Sequence, residues 1–512
     1  MTESVVILDF GSQYTQLIAR RVREQKVFSK ILPFHASVEE IMSEEPKGII
    51  LSGSPANVYD KKAPLPDFRI FDAGVPVLGI CYGLQVISHF FKGKVHKSPR
   101  REYGAARLHV SKADGLLHKY PKTSTCWMSH GDKLDRLPKG FERLAHTANA
   151  PVAVVGDPER RIYGVQFHPE VVHTPDGAKI ISNFLFRICR AKSTWTPRSF
   201  VEESVETIQE QVGSSKVVLG LSGGVDSSVA AVLIHKAIGK KLTCIFVDNG
   251  LLRLEEAGRI KKAFRGHFKM NMKFVDARKE FLTALRRVRS PEKKRKIIGH
   301  TFIDVFDRAA KKIGAVKYLA QGTLYPDVIE SVSVFGGPTS MIKSHHNVGG
   351  LPAKMKLKLL EPLRMLFKDE VRQVGRTLGI PSEFVDRHPF PGPGLAVRIL
   401  GDITEERLDL LKAADAIVIE EIKKGGFYKD LWQAFGVLLP IKSVGVMGDE
   451  RTYENALAIR AVTSQDGMTA DWAQLPHDFL GHLSNRIINE VRGINRVCLD
   501  ISSKPPATIE WE

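Results

Sequence analysis

Apolar residues fall in short β-rich runs over the first part of the chain: Val5-Val6-Ile7-Leu8, Gly48-Ile49-Ile50-Leu51, Val75-Pro76-Val77-Leu78-Gly79-Ile80 and Ile162-Tyr163-Gly164-Val165-Gln166-Phe167. Each run has strand length and closes on a Gly-, Ser- or Pro-containing turn. The pattern predicts buried strands of an α/β sheet with loops at the strand ends. A periodic stretch over 178–189 predicts a closing helix, and Ser193-Thr194-Trp195-Thr196-Pro197-Arg198-Ser199 reads as a linker. A second series follows: a helix over 200–211, the strand Val217-Val218-Leu219-Gly220-Leu221, a Gly-Ser loop, a helix over 228–238 and the strand Leu242-Thr243-Cys244-Ile245-Phe246-Val247. That order is a βαβ unit with a phosphate-sized loop at its first turn. The Pro- and Gly-dense segment His388-Pro389-Phe390-Pro391-Gly392-Pro393-Gly394 breaks any regular element. Beyond it, an amphipathic helix over 405–423 belongs to a smaller third unit. The expected division is 1–192, a linker at 193–200, 201–384 and 385–512.

A length of 512 residues exceeds what one core fills, which agrees with several domains. The hydrophobic fraction is 43%, and no apolar run approaches the roughly 20 residues needed to cross a bilayer. Met1-Thr2-Glu3-Ser4 leads straight into an apolar strand without the features of a signal peptide, so the expected location is cytoplasmic, with no membrane partner. Five cysteines form an odd, sparse set without metal-type spacing. Cys126, Cys189, Cys244 and Cys498 are expected to be buried, reduced thiols. The formal charge of +18 points to an anionic partner. Without an aromatic–basic signature for RNA, phosphorylated small molecules are expected and nucleic acid is not. Most of the basic stretch at 286–296 reads as solvated surface.

Two loops carry candidate chemistry. Gly79-Ile80-Cys81-Tyr82-Gly83 has the form of a nucleophile elbow with cysteine in place of serine. A helix begins just after it, and its positive N-terminal end favours the thiolate. Phe167-His168-Pro169-Glu170 ends a predicted strand, so His168 and Glu170 project to one side if the chain stays extended. Glu170 then orients His168, and His168 takes the thiol proton. Ser52-Gly53-Ser54-Pro55 follows another strand, and the amides of Gly53 and Tyr82 are candidates for an oxyanion hole worth on the order of 3 kcal/mol per donor.

These three motifs, with Asp9-Phe10-Gly11-Ser12-Gln13-Tyr14 at the first strand, resemble the class I (triad) glutamine amidotransferases over residues 4 to about 190. The resemblance implies Cys81 as nucleophile, His168 as general base and Glu170 as the orienting carboxylate.

The second loop, Ser222-Gly223-Gly224-Val225-Asp226-Ser227-Ser228, lies between a strand and a helix. Its amides and serines suit phosphate. It lacks the Gly-Lys-Ser/Thr ending of a Walker loop and the lysine that goes with it, and Asp226 suits a Mg²⁺ bridge. The loop resembles that of N-type ATP pyrophosphatases, which adenylate an acceptor oxygen and release pyrophosphate; Val247, at the next strand end, lies where such folds hold adenosine.

Ammonia is mostly protonated in neutral water, so a glutaminase and an adenylating site on one chain suggest direct transfer of the uncharged nitrogen. Several further stretches identify the acceptor by resemblance: Lys293-Lys294-Arg295-Lys296-Ile297-Ile298-Gly299, Ala320-Gln321-Gly322-Thr323-Leu324-Tyr325-Pro326-Asp327, Ile342-Lys343-Ser344-His345-His346-Asn347, Arg387 through Gly394, and the tail Lys504-Pro505-Pro506-Ala507-Thr508-Ile509-Glu510-Trp511-Glu512. With them the whole chain resembles the glutamine-hydrolysing GMP synthase family. This implies a class I glutaminase α/β domain, a Rossmann-like ATP pyrophosphatase α/β domain and a small α+β C-terminal dimerisation domain. It also implies XMP, ATP and L-glutamine as substrates, Mg²⁺ with ATP, and a homodimer through the C-terminal domain. Arg295, Arg387 and Lys504 are cations suited to a nucleotide 5′-phosphate. Glu510 suits a purine N–H, with Ile509 contributing its backbone, and Lys343 is expected to reach the pyrophosphate.

Overall fold

All four predicted runs of the first segment become strands of one nine-stranded sheet in the computed structural model, which describes residues 3–331, 357–447, 450–464, 467 and 469–512. The strands are β1 (Ser4–Asp9), β2 (Phe28–Pro33), β3 (Pro46–Leu51), β4 (Val77–Ile80), β5 (Lys94–Val110), β6 (Thr123–Arg136), β7 (Glu142–His146), β8 (Val154–Asp157) and β9 (Ile162–Val165). Their order is β2-β1-β3-β4-β9-β8-β7-β5-β6. From β2 to β9 neighbours pair parallel, and from β9 to β6 they pair antiparallel. β1, β4 and β9 are buried throughout, which explains why they read as continuous apolar runs, whereas the edge strand β2 is only partly buried. Val6, Leu8, Ile49, Leu51, Val77 and Leu84 share a core beneath them.

The predicted closing helix is two pieces, an α-helix at Gly177–Ser182 and a π-helical turn at Asn183–Ile188. The expected linker is shorter than its composition suggests. Pro197, whose fixed φ suits a helix's first turn, starts a helix that runs Pro197–Val212.

Among the described residues the chain divides into two units, one of 3–200 with 326–331 and one of 201–325 with those from 357 onward. The second unit holds a five-stranded parallel sheet of β10 (Val217–Gly220), β11 (Leu242–Asp248), β12 (Met272–Asp276), β13 (Tyr318–Ala320) and β14 (Lys358–Leu360), ordered β12-β11-β10-β13-β14. The chain winds outward from β10 in both directions. The crevice beyond the ends of β10 and β13 is therefore the switch point where such sheets bind ligands. A further sheet joins β15 (Gln433–Met447), β16 (Glu450–Thr463), β17 (Asp471–Trp472) and β18 (Ile494–Leu499). The helices Glu405–Lys424 and His477–Glu490 pack on it. One apolar cluster connects the two sheets, from Val218 and Ile245 through Leu395 and Ile399 to Leu457 and Ile487.

Among the cysteines, Cys126, Cys189 and Cys244 are buried as expected, and burial pushes their thiols up, keeping them protonated. Cys498 departs from expectation and is exposed, because it faces outward on β18. The basic stretch also holds one exception: Lys294 is fully buried.

Candidate active sites

Cys81 sits between β4 and the helix Tyr82–Phe90 with φ 54° and ψ −101°, a conformation that ordinarily costs a non-glycine residue about 1–3 kcal/mol. Its neighbours hold it there. The Cys81 amide donates to Val165 O at 2.7 Å, and the Gly83 amide donates to Ser52 O at 3.1 Å. Any side chain at Gly83 is barred, since a Cβ there would meet Leu51 O at 2.4 Å. Backbone packing thus presents the sulfur at the helix's positive end.

His168 and Glu170 lie past the end of β9, in a turn and not in extended chain. They still meet: His168 Nδ1 and Glu170 Oε1 are 2.7 Å apart, and both residues are buried. The turn is fixed through its carbonyls. Thr174 Oγ1 donates to His168 O at 2.7 Å, and Arg21 Nε donates to Glu170 O at 2.8 Å. Burial opposes a charged His168, but the Glu170 carboxylate, joined by the Cys81 sulfur once it has given up its proton, outweighs it and raises the imidazole to about 11. Gly53 adjoins the same ring; a Cβ there would lie 3.4 Å from His168 Cε1. The amides of Gly53 and Tyr82 have no acceptor among the described residues.

Two further buried amides near Cys81 in sequence or in space carry no distinctive sequence signal. Gln85, one helical turn beyond Cys81, is buried with Oε1 unpaired among the described residues. Gln166 is fully buried, and its Nε2 lies 3.9 Å from Cys81 Sγ.

In the second unit, residues 222–228 join β10 to the helix Val225–Ile238. The helix therefore starts inside the motif, three residues before its predicted start. Gly223 has φ 78°, and a Cβ there would strike Ile260 Cδ1 at 2.2 Å. The serines brace the loop: Ser222 Oγ and Ser227 Oγ are 2.9 Å apart, and the Gly224 amide donates to Ser222 Oγ at 3.2 Å. Ser228 is fully buried. Val247 ends near the same crevice on β11. Asp226 faces a cation: Lys368 Nζ donates to its two carboxylate oxygens at 2.7 and 2.6 Å. Lys368 opens the helix Lys368–Thr377, so the lysine missing from the loop itself arrives from a distant segment.

The expected nucleotide-holding residues divide into two groups. Arg387 lies at the phosphate loop, where it donates to Gly223 O at 3.1 Å and pairs with Glu256. The others surround the C-terminal tail. Arg295 donates to Glu512 O, and buried Lys294 pairs with the Glu512 side chain. Lys504 Nζ donates to Gly467 O at 2.7 Å. Ile509 packs against Phe435, Val437 and Ala458. Glu510 accepts from Arg398 at 2.8 and 3.1 Å and from Gln433 Nε2 at 2.7 Å. Phe390 links the two groups, with the guanidinium carbons of Arg253, Arg387 and Arg398 all 5.1–5.3 Å from its ring centre. Lys343, His345 and His346 lie outside the described residues.

Comparison with known proteins gives three family matches: glutamine amidotransferase class-I over residues 6–188, NAD synthase over 198–293 and GMP synthase C terminal domain over 420–511. The last discriminates between chains that share the pyrophosphatase loop. Proteins named GMP synthase [glutamine-hydrolyzing] are similar along the full length. The one from Brachyspira hyodysenteriae is 58% identical, covering 100% of this chain and 99% of its own. That from Chlorobaculum tepidum is 60% identical with the same coverage, and that from Aquifex aeolicus is 57% identical over 99% of both chains.

Proposed function

The chain belongs to the glutamine-hydrolysing GMP synthase family, and from that premise we propose how its own residues carry the reaction. The enzyme converts ATP, XMP, L-glutamine and water to AMP, diphosphate, GMP and L-glutamate. The observation that carries the residue assignment is the strained Cys81 turn beside the 2.7 Å His168–Glu170 pair.

His168 takes the Cys81 proton, and the sulfur attacks the side-chain amide carbon of glutamine. The Gly53 and Tyr82 amides hold the oxyanion, and His168 returns the proton to the departing ammonia. Water then cleaves the thioester, releasing glutamate. Gln85 Oε1, buried without a partner among the described residues one helical turn beyond Cys81, is assigned to accept from an N–H of the substrate.

At the second site the C2 oxygen of XMP attacks the α-phosphorus of ATP and diphosphate leaves. Ammonia then adds at C2 and AMP departs. The loop 222–228 grips the diphosphate, with Val247 beside the adenosine and Lys343 assigned to the phosphates. Asp226 is the residue to hold Mg²⁺. A carboxylate already engaged by an ammonium group is in a setting suited to a cation, and Mg²⁺ supplies charge neutralisation across the phosphates. Lys368 transfers from Asp226 to a phosphate oxygen when the nucleotide binds. XMP is assigned to Arg295, Arg387, Lys504, Ile509 and Glu510.

The proposed domains are the amidotransferase at 1–192, a linker at 193–200, the pyrophosphatase at 201–384 and the C-terminal domain at 385–512. A homodimer through the last is supported by an exposed apolar stripe on β15 and β16, formed by Ile441, Val444, Val446 and Tyr453. Five free cysteines suit a reducing cytoplasm. Product analysis with all four reactants and Mg²⁺ tests the reading. Equal amounts of GMP, AMP, diphosphate and glutamate are expected; ADP as product, or no guanylate, would refute it.

A further inference from the structure

The Cys81 sulfur lies between one acceptor and one donor. On β6 the Ser129 carbonyl is 3.8 Å away and takes the thiol S–H. From the end of β9, Gln166 Nε2 is 3.9 Å away and points an N–H at the same atom. Gln166 is held with little freedom. Its backbone amide donates to Ala153 O at 2.8 Å, and Val165, immediately before it, accepts the Cys81 amide. The side chain is fully buried, and Oε1 has no partner among the described residues. A buried glutamine with its oxygen unsatisfied is unfavourable unless its other end serves a purpose. Turning the amide over would be worse, because it would bury two unpaired N–H donors and set oxygen against a sulfur whose proton Ser129 already accepts.

Resting on the reading of Cys81 as the nucleophile, we infer that Gln166 is a further catalytic residue, whose side-chain N–H stabilises the Cys81 thiolate. Few donors reach this sulfur from water, since Cys81 is only 5% exposed. The thiol keeps its proton on the Ser129 carbonyl, and when His168 removes that proton the Gln166 N–H becomes the matching contact. The same contact assists the later step. As water adds to the thioester and the C–S bond breaks, the electron pair returns to sulfur and the N–H is in place to receive it. Among the described residues His168, which hydrogen-bonds Cys81, is the titratable group facing the sulfur, backed by Glu170 and edged by the Tyr14 ring; β6 contributes the Ser129 carbonyl. A titration read at this sulfur therefore belongs to the Cys–His pair.

The test uses the full chain and two variants, Gln166→Met and Gln166→Leu, which remove the donor without burying a new polar group. Cys81 alkylation by iodoacetamide is followed against pH, with peptide mapping to assign the modified thiol. The expected result in both variants is an alkylation midpoint raised by about one pH unit. Glutamine-dependent kcat should fall about tenfold, with KM for glutamine little changed and ammonia-dependent GMP synthesis intact. Met matches glutamine in length, so that variant decides the outcome if Gln166→Leu fails to fold. A wild-type midpoint in Gln166→Met overturns this inference alone, provided Cys81→Ala has lost glutamine use. Retained glutamine use in Cys81→Ala overturns the nucleophile reading and this inference together.

Discussion

Replacing Glu170 with Gln isolates one charge in the amidotransferase site. The substitution keeps an oxygen for His168 Nδ1–H, at a contact of 2.7 Å between residues 4% and 0% exposed, but removes the carboxylate's charge. Unit charges about 4 Å apart interact by about 4 kcal/mol at an effective dielectric of about 20. A hydrogen bond to a charged group has a net worth of about 1.5–3 kcal/mol. Losing about 3 kcal/mol of imidazolium stabilisation corresponds to roughly a 100-fold fall in glutamine turnover. Glutamate release in the presence of ATP and XMP is the assay, and GMP synthesis from ammonium salts is the control. A fall of less than about threefold would refute the charge-stabilising role. Loss of the control would show that the effect was structural. Stability gives a second reading. Because the folded His168 value lies above the ordinary 6.5, its contribution is complete below that pH and disappears as pH rises towards about 11. In Glu170→Gln that decline across alkaline pH should flatten, as read by thermal unfolding at a series of pH values.

Three other outcomes follow from the second unit. Lys368→Met should leave the melting temperature nearly unchanged, because the partly exposed pair with Asp226 contributes at most about 1 kcal/mol. ATP–diphosphate exchange should nevertheless fall about 10- to 100-fold through the lost phosphate contact; unaltered exchange would exclude Lys368 from the nucleotide. His388 is held near pH 4 by burial first and by Arg253, Arg372 and Lys423 nearby, with only its hydrogen bond to Tyr428 opposing. The folded value is depressed, so its contribution is present above about 6.5 and is lost as pH falls through about 4; His388→Gln should reduce the acid sensitivity of unfolding. Arg398→Met leaves the Glu510 carboxylate without its bidentate partner and should destabilise the unit by about 3–5 kcal/mol, with Arg398→Met/Glu510→Leu recovering part of the loss in denaturant titrations.

Strand-length apolar runs ending in small or turn-forming residues located both reactive loops, because parallel strands are buried on both faces and their ends carry the chemistry. Periodicity was less informative where backbone strain intervened. The π-helical turn at Asn183–Ile188 and the bend holding His168 and Glu170 depend on packing that no local spacing encodes. Lys368 is 142 residues from Asp226, so only tertiary folding reveals that pair. Lys294 is the fully buried member of a run of cations that are otherwise exposed or half-exposed. Gln85 and Gln166 are single amides in apolar surroundings, and burial is what distinguishes them. Arg387 read as one of the cations for XMP, yet its immediate partners are Gly223 O and Glu256.

The apolar cluster that runs from Val218 to Ile487 bears on how this enzyme can be divided into separate polypeptides. A gene fission near residue 200 would give each product an interior of its own. A fission near residue 384 would cut through a shared interior, leaving Val218 and Ile245 on one fragment without the Leu395 and Leu457 side of their cluster. Two-gene versions of such a chain should therefore separate the amide-cleaving part and keep the nucleotide-handling remainder whole.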